Sequence, residues 1–132
     1  MARIERTEVV RDVYHAMRSG DLELLLAKTD MRTRIEDNAE GAPGPYTSPD
    51  DVRAFFTDRA KVWKRWGIQP EEYIIVDERV VVPVRLWEPQ DGARPRAWFM
   101  FHVWDIADDG KIGRLQTYRD RAEAIDAAGR AG

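Results

Sequence analysis

The sequence predicts an α+β fold, helices first and a β-meander after, on three observations. Apolar residues recur at helical spacing over 9–17 and 52–66. From about residue 72 the pattern turns to strands, and these follow one another through tight turns with no helix between them. That order excludes a parallel α/β sheet. The 132 residues are one domain's worth of chain, long enough to bury roughly two-thirds of the unfolded surface without a disulfide or metal staple. A single domain over 1–132 is expected.

The elements follow in order. Val9, Val10, Val13, Tyr14 and Met17 make one stripe, while Glu8, Arg11, Asp12 and Arg18 fall mostly off it, so the first element is an amphipathic helix. Gly20 stops it by tolerating the left-handed backbone that ends helices, and Asp21 caps a short second helix carrying Leu22, Leu25 and Leu26. Residues 31–37 alternate, Thr33, Ile35 and Asp37 on one face and Arg32, Arg34 and Glu36 on the other, as a half-exposed strand does. Residues 38–47 hold two Gly and two Pro without periodicity and read as a loop, a candidate lid over a site. Ser48-Pro49-Asp50-Asp51 starts the third helix with a cap, a Pro at the first helical position and acids in the first turn. Its stripe is Val52, Phe55, Phe56, Ala60, Trp63 and Trp66, and Gly67 ends it.

Strands are predicted over 72–77, 79–87, 97–106 and 112–118, sequential and antiparallel. Pro83 marks a place where a bulge would shift the parity of its strand. Asp120 caps a short last helix. The strand 98–106 carries Trp98, Met100, His102, Trp104 and Ile106 on one face, yet Phe99, Phe101 and Val103 on the other. A sheet with one wet face alternates apolar and polar, and three helices cover one face only. A homodimer through the second face is therefore expected.

Composition narrows the function. Without Cys there is no disulfide framework, thiolate nucleophile or cysteine-ligated metal, and two His cannot build a three-histidine zinc site. Phosphate loop, dinucleotide fingerprint, zinc-protease helix and serine nucleophile elbow are all missing from the sequence, so no cofactor and no metal are expected. A net charge of -3 without a basic stripe argues against nucleic acid. No apolar run reaches the roughly 20 residues of a membrane span, and the first 20 residues are charged where a signal peptide is apolar. A cytoplasmic protein that does not meet a membrane is expected.

Three residues are candidates for chemistry. Asp37 ends a strand on the face of Thr33 and Ile35; a carboxylate at the edge of an apolar cavity loses hydration and becomes a usable general base or acid. Otherwise it caps the loop and meets solvent. His102 lies among Phe101, Val103, Met100 and Trp104, so its imidazole either lines a cavity or is a hydrogen-bonded core histidine. If the two converge, they form an acid/base couple. Tyr14, on the buried stripe of the first helix, offers a hydroxyl to a carbonyl or a developing oxyanion, or bonds a backbone carbonyl in the core. His15, turned about 100° away, reads as surface. Phe56, Trp63, Trp98, Met100 and Trp104 are the candidate wall for a flat apolar ligand, and core packing accounts for them equally well.

Several short runs carry a resemblance: Ser19-Gly20-Asp21-Leu22-Glu23, Ile35-Glu36-Asp37, residues 46–56, His102-Val103-Trp104 followed by Asp109-Gly110-Lys111-Ile112, and Tyr118-Arg119-Asp120-Arg121-Ala122-Glu123-Ala124. In this order and spacing they resemble the SnoaL-like branch of the NTF2-like superfamily, with its ketosteroid isomerases and polyketide cyclases, over residues 7–129. The resemblance implies a cone, a curved antiparallel sheet wrapped around N-terminal helices, enclosing an apolar pocket and dimeric through the sheet. By ungapped counting, the isomerase's base aspartate falls on Asp37 and its oxyanion-binding aspartic acid on His102. Its tyrosine falls on Val13, one position before Tyr14. A histidine in place of the aspartic acid departs from steroid isomerisation and suits cyclisation, dehydration or another isomerisation that moves a proton next to a carbonyl. The leading expectation is thus a cofactor-free acid/base enzyme acting on a small, largely apolar carbonyl compound. Its competitor is a non-catalytic module binding a ligand or protein in the same cone.

Overall fold

The computed structural model describes residues 5–38, 44–63, 67–90 and 92–129. Helix α1 (Arg6–Ser19) ends where Gly20 adopts the left-handed backbone, φ 72°. Asp21 then caps α2 (Leu22–Ala27), its carboxylate accepting from the Leu24 amide at 3.1 Å. Strand β1 (Arg34–Asp37) follows, and α3 (Pro49–Trp63) opens with the Ser48 hydroxyl accepting from the Asp51 amide. Strands β2 (Gly67–Pro70), β3 (Ile74–Val76), β4 (Arg79–Gln90), β5 (Ala93–Ile106) and β6 (Ile112–Tyr118) lead to α4 (Arg121–Gly129). Half of the candidate lid, 39–43, and Trp66, expected at the end of the third helix, lie outside the described residues.

The strands form one six-stranded sheet in the order β1-β6-β5-β4-β2, with β3 also on β4. It is mixed: β1 pairs parallel to β6, and the other pairs are antiparallel. The strand expected over 72–77 is β3, shortened to 74–76, and β2 is an additional strand before it, the two laid end to end along β4. Gly67, expected to end the third helix, opens β2. Gly67 pairs with Trp87, and a β-carbon on it would stand 1.7 Å from the indole. Pro83 causes no bulge; the β4–β5 register runs unbroken from Val80 to Glu88. Its carbonyl accepts from the Glu71 amide, so its ring nitrogen faces the gap between β2 and β3, where no ladder donor is missed. Gly67→Ala is expected to destabilise the fold by about 2 kcal/mol, because the indole has to leave its seat. A urea midpoint unchanged from wild type would contradict this.

Two hydrophobic clusters sit on opposite faces of the sheet. On one, α1, α2 and α3 bury Val80, Val82, Val84, Trp104, Leu115 and Ile35. On the other, Ala124 and Ala128 of α4 pack on Val81 and Val103. The last helix thus covers part of the face that the sequence assigns to a second copy. Of that face Phe99, 50% exposed, stays open.

Candidate functional site

Strand register builds the site. Val82 pairs with His102, His102 with Thr117, and Thr117 with Asp37, so one row crosses β4, β5, β6 and β1 on the face towards the first three helices. Two strand spacings put the Cα atoms of Asp37 and His102 about 10 Å apart. A molecule of a few fused or linked rings spans that distance.

At one end of the row, His102 is 7% exposed. Its Nδ1 lies 2.7 Å from the Tyr14 hydroxyl, and the two rings are parallel to within 1°. Trp104 Nε1 donates to the same hydroxyl at 2.9 Å. An indole N–H is only a donor, so the Tyr14 oxygen accepts from it and directs its own proton to Nδ1. The neutral imidazole therefore keeps its proton on Nε2. Among the described residues no group bonds Nε2, and no buried side-chain nitrogen or oxygen lacks a partner, so Nε2 is the atom at which the ring meets open space.

Burial lowers the His102 pKa to about 4, against the opposing pull of the Asp37 charge and with a smaller push from Arg59. His102 is thus uncharged at neutral pH. The Tyr14 phenol, also buried, is pushed well above its ordinary 10 and stays protonated. Stability follows from the histidine. As pH falls below 6.5 the unfolded chain takes up a proton that the folded chain refuses until about 4. Stability is complete above 6.5 and drops by about 3 kcal/mol as pH falls through that window. Urea midpoints at pH 7 and pH 4.5 test this; a His102→Gln variant with the same drop as wild type would remove the histidine as its cause.

At the other end, Asp37 is an acceptor among donors. The Thr117 hydroxyl donates to Oδ1 at 2.6 Å, and Arg59 Nη2 stands 3.5 Å from Oδ2. The carboxylate is only 11% exposed. It is held from the sheet by β6 and from the helical layer by α3.

The expected residues divide accordingly. Asp37, His102 and Tyr14 share one face, and Tyr14 bonds a side chain rather than a backbone carbonyl. Val13, to which the family tyrosine counts, is buried one position earlier in the same core cluster. Met100 and Trp98 are half-buried on the His102 face of β5. Phe56 and Trp104 are fully buried in the core cluster. The Trp63 side chain lies outside the described residues.

Thr117 and Arg59 were missed, and both left a signal. Thr117 is a polar residue at the parity of Leu115 on an apolar face. Arg59 falls on the apolar stripe of α3, seven residues after Val52 and four after Phe55. A charge there has to find a partner across the interface. The described cleft between Arg6, Arg79 and Asp105 lies elsewhere, with both arginines already bonded to Ile106 O, Ala128 O and carboxylates.

A family model for the SnoaL-like domain matches residues 10–115. No curated protein matches the chain. Among solved structures, an NTF2-like protein of unknown function from Burkholderia pseudomallei is 24% identical, covering 95% of this chain and 98% of its own, with a TM-score of 0.70. SalBIII, an epoxide hydrolase/cyclase-like enzyme with a role in pyran ring formation in salinomycin, is 15% identical over 89% of this chain and 92% of its own, TM-score 0.71. RV0760c from Mycobacterium tuberculosis, in complex with estradiol-17beta-hemisuccinate, is 16% identical over 89% and 95%, TM-score 0.72. At these identities the likeness is one of fold. No described helix is long and apolar enough to cross a membrane.

Proposed function

The chain belongs to the SnoaL-like family, and from the row it builds on that fold we propose that it is a cofactor-free acid/base enzyme acting on a small, largely apolar carbonyl compound. One observation carries the reading: an acceptor, Asp37, and a neutral histidine with its free Nε2–H stand in register on one face, each fixed by its own partners. Asp37 takes a proton from the carbon next to the substrate carbonyl. The negative charge that develops on the carbonyl oxygen is met by His102 Nε2–H. Protonated Asp37 then returns the proton to another carbon, which isomerises the substrate, or to a leaving hydroxyl, which dehydrates it.

The part of the histidine is to donate to that carbonyl oxygen. With a pKa of about 4 it is a hydrogen-bond donor and not an imidazolium that gives up a proton at neutral pH. Tyr14 acts through it as a positioning residue, fixing the tautomer. The related folds that take a steroid ester or close a pyran ring support a ligand of this size. The test is exchange of α-protons for deuterium in a panel of small cyclic ketones, followed by NMR. Exchange above the buffer rate, dependent on Asp37, is expected. Ligand binding without exchange in any compound would favour the non-catalytic module.

A further inference from the structure

The Arg59 guanidinium has more hydrogen-bonding capacity than the described residues use. It carries five N–H donors in a planar fork, and its contacts among the described residues are one to Asp37 at 3.5 Å and the Phe55 ring, 5.1 Å from its carbon. A charge-assisted bond is ordinarily about 2.8 Å, so the Asp37 contact is a long one. The arginine side chain is 37% exposed, whereas Asp37 beneath it is 11% exposed. A cation 5.1 Å over an aromatic ring at the exposed edge of a buried acid, with most of its donors uncommitted among the described residues, is a fork presented to something else.

We propose that Arg59 anchors an anionic group of the ligand, so that the substrate class is a carboxylate-bearing carbonyl compound. The inference rests on the acid/base reading above for what happens next and on the geometry of Arg59 for the anchor itself. A carboxylate offers two oxygens at the spacing of the guanidinium fork and exchanges one long contact for two short ones. Because Arg59 stands over the Asp37 end of the row, a ligand held there lays its apolar body along Thr117 towards His102. The carboxylate then fixes the register in which a ketone meets Nε2–H.

The test uses 2-naphthoate and its uncharged counterpart 2-naphthamide, titrated into the full-length protein and read by calorimetry. Wild type is expected to bind the carboxylate at least tenfold more tightly. Arg59→Ala should bring the two to parity and Arg59→Lys should keep part of the preference, with circular dichroism showing both variants folded. Equal affinities in wild type, no binding of the carboxylate, or a preference that survives Arg59→Ala would each overturn the anchor. The two readings fail separately. Parity of the two ligands with intact Asp37-dependent deuterium exchange removes the anchor alone, and an Arg59-dependent preference without exchange removes the enzyme alone.

Discussion

Asp37→Asn is expected to lower the rate of α-proton exchange by about 10³-fold, equivalent to about 4 kcal/mol of barrier. The substitution is nearly isosteric. Its amide oxygen still accepts from the Thr117 hydroxyl, now 2.6 Å from Oδ1, but it cannot take a proton. The contact with Arg59 is long and part-exposed, and losing its charge costs less than about 1 kcal/mol of stability. Activity and stability should therefore separate: exchange lost, urea midpoint close to wild type. A variant that exchanges at the wild-type rate would exclude Asp37 as the base. One that unfolds at a much lower urea concentration would make the residue structural, since Asp37 would then hold β1 to β6 and α3 and little else.

Tyr14→Phe is the substitution expected to cost most in stability, about 3 kcal/mol. One hydroxyl serves two buried groups, accepting from Trp104 Nε1 and meeting His102 Nδ1. Without it both are orphaned in a core that water does not enter, at about 1–3 kcal/mol each. Trp104→Phe removes the indole N–H together with its need for a partner, so in the Tyr14→Phe background it should recover part of the loss. The same hydroxyl holds the proton of His102 on Nε2. In nitrogen NMR spectra of wild type at pH 7, His102 should be neutral with Nε2 protonated, and in Tyr14→Phe the preference should weaken. A wild-type Nδ1–H tautomer would overturn the arrangement, because Nε2 would then be an acceptor and unable to meet an oxyanion.

Much of the fold was legible because its signals are local. Gly20 and Asp21 end one helix and start the next through backbone angles and a side-chain cap that involve only nearby residues. Ser48-Pro49 does the same for α3. Alternation placed Asp37 and His102 on apolar faces, and composition left His102 as the one histidine that the pattern puts inside. Gly67 misled: expected only to end a helix, it opens a strand, since opposite Trp87 its missing β-carbon leaves room for the indole.

Periodicity determined which side of each element is apolar, and with it the α+β class, the helix limits and the two polar residues that stand on apolar faces. It did not determine which neighbour takes that side. That β1 lies parallel to β6, bringing Asp37 beside Thr117, that α4 covers the face behind His102, and that Arg59 leans over Asp37 are pairings between residues far apart in sequence. A residue's own neighbours carry no record of them; they are decided when the elements pack and every buried donor and acceptor has to be met at once. The candidate chemistry rests on that step, because only there does a histidine among aromatic residues meet the Tyr14 hydroxyl that orients it.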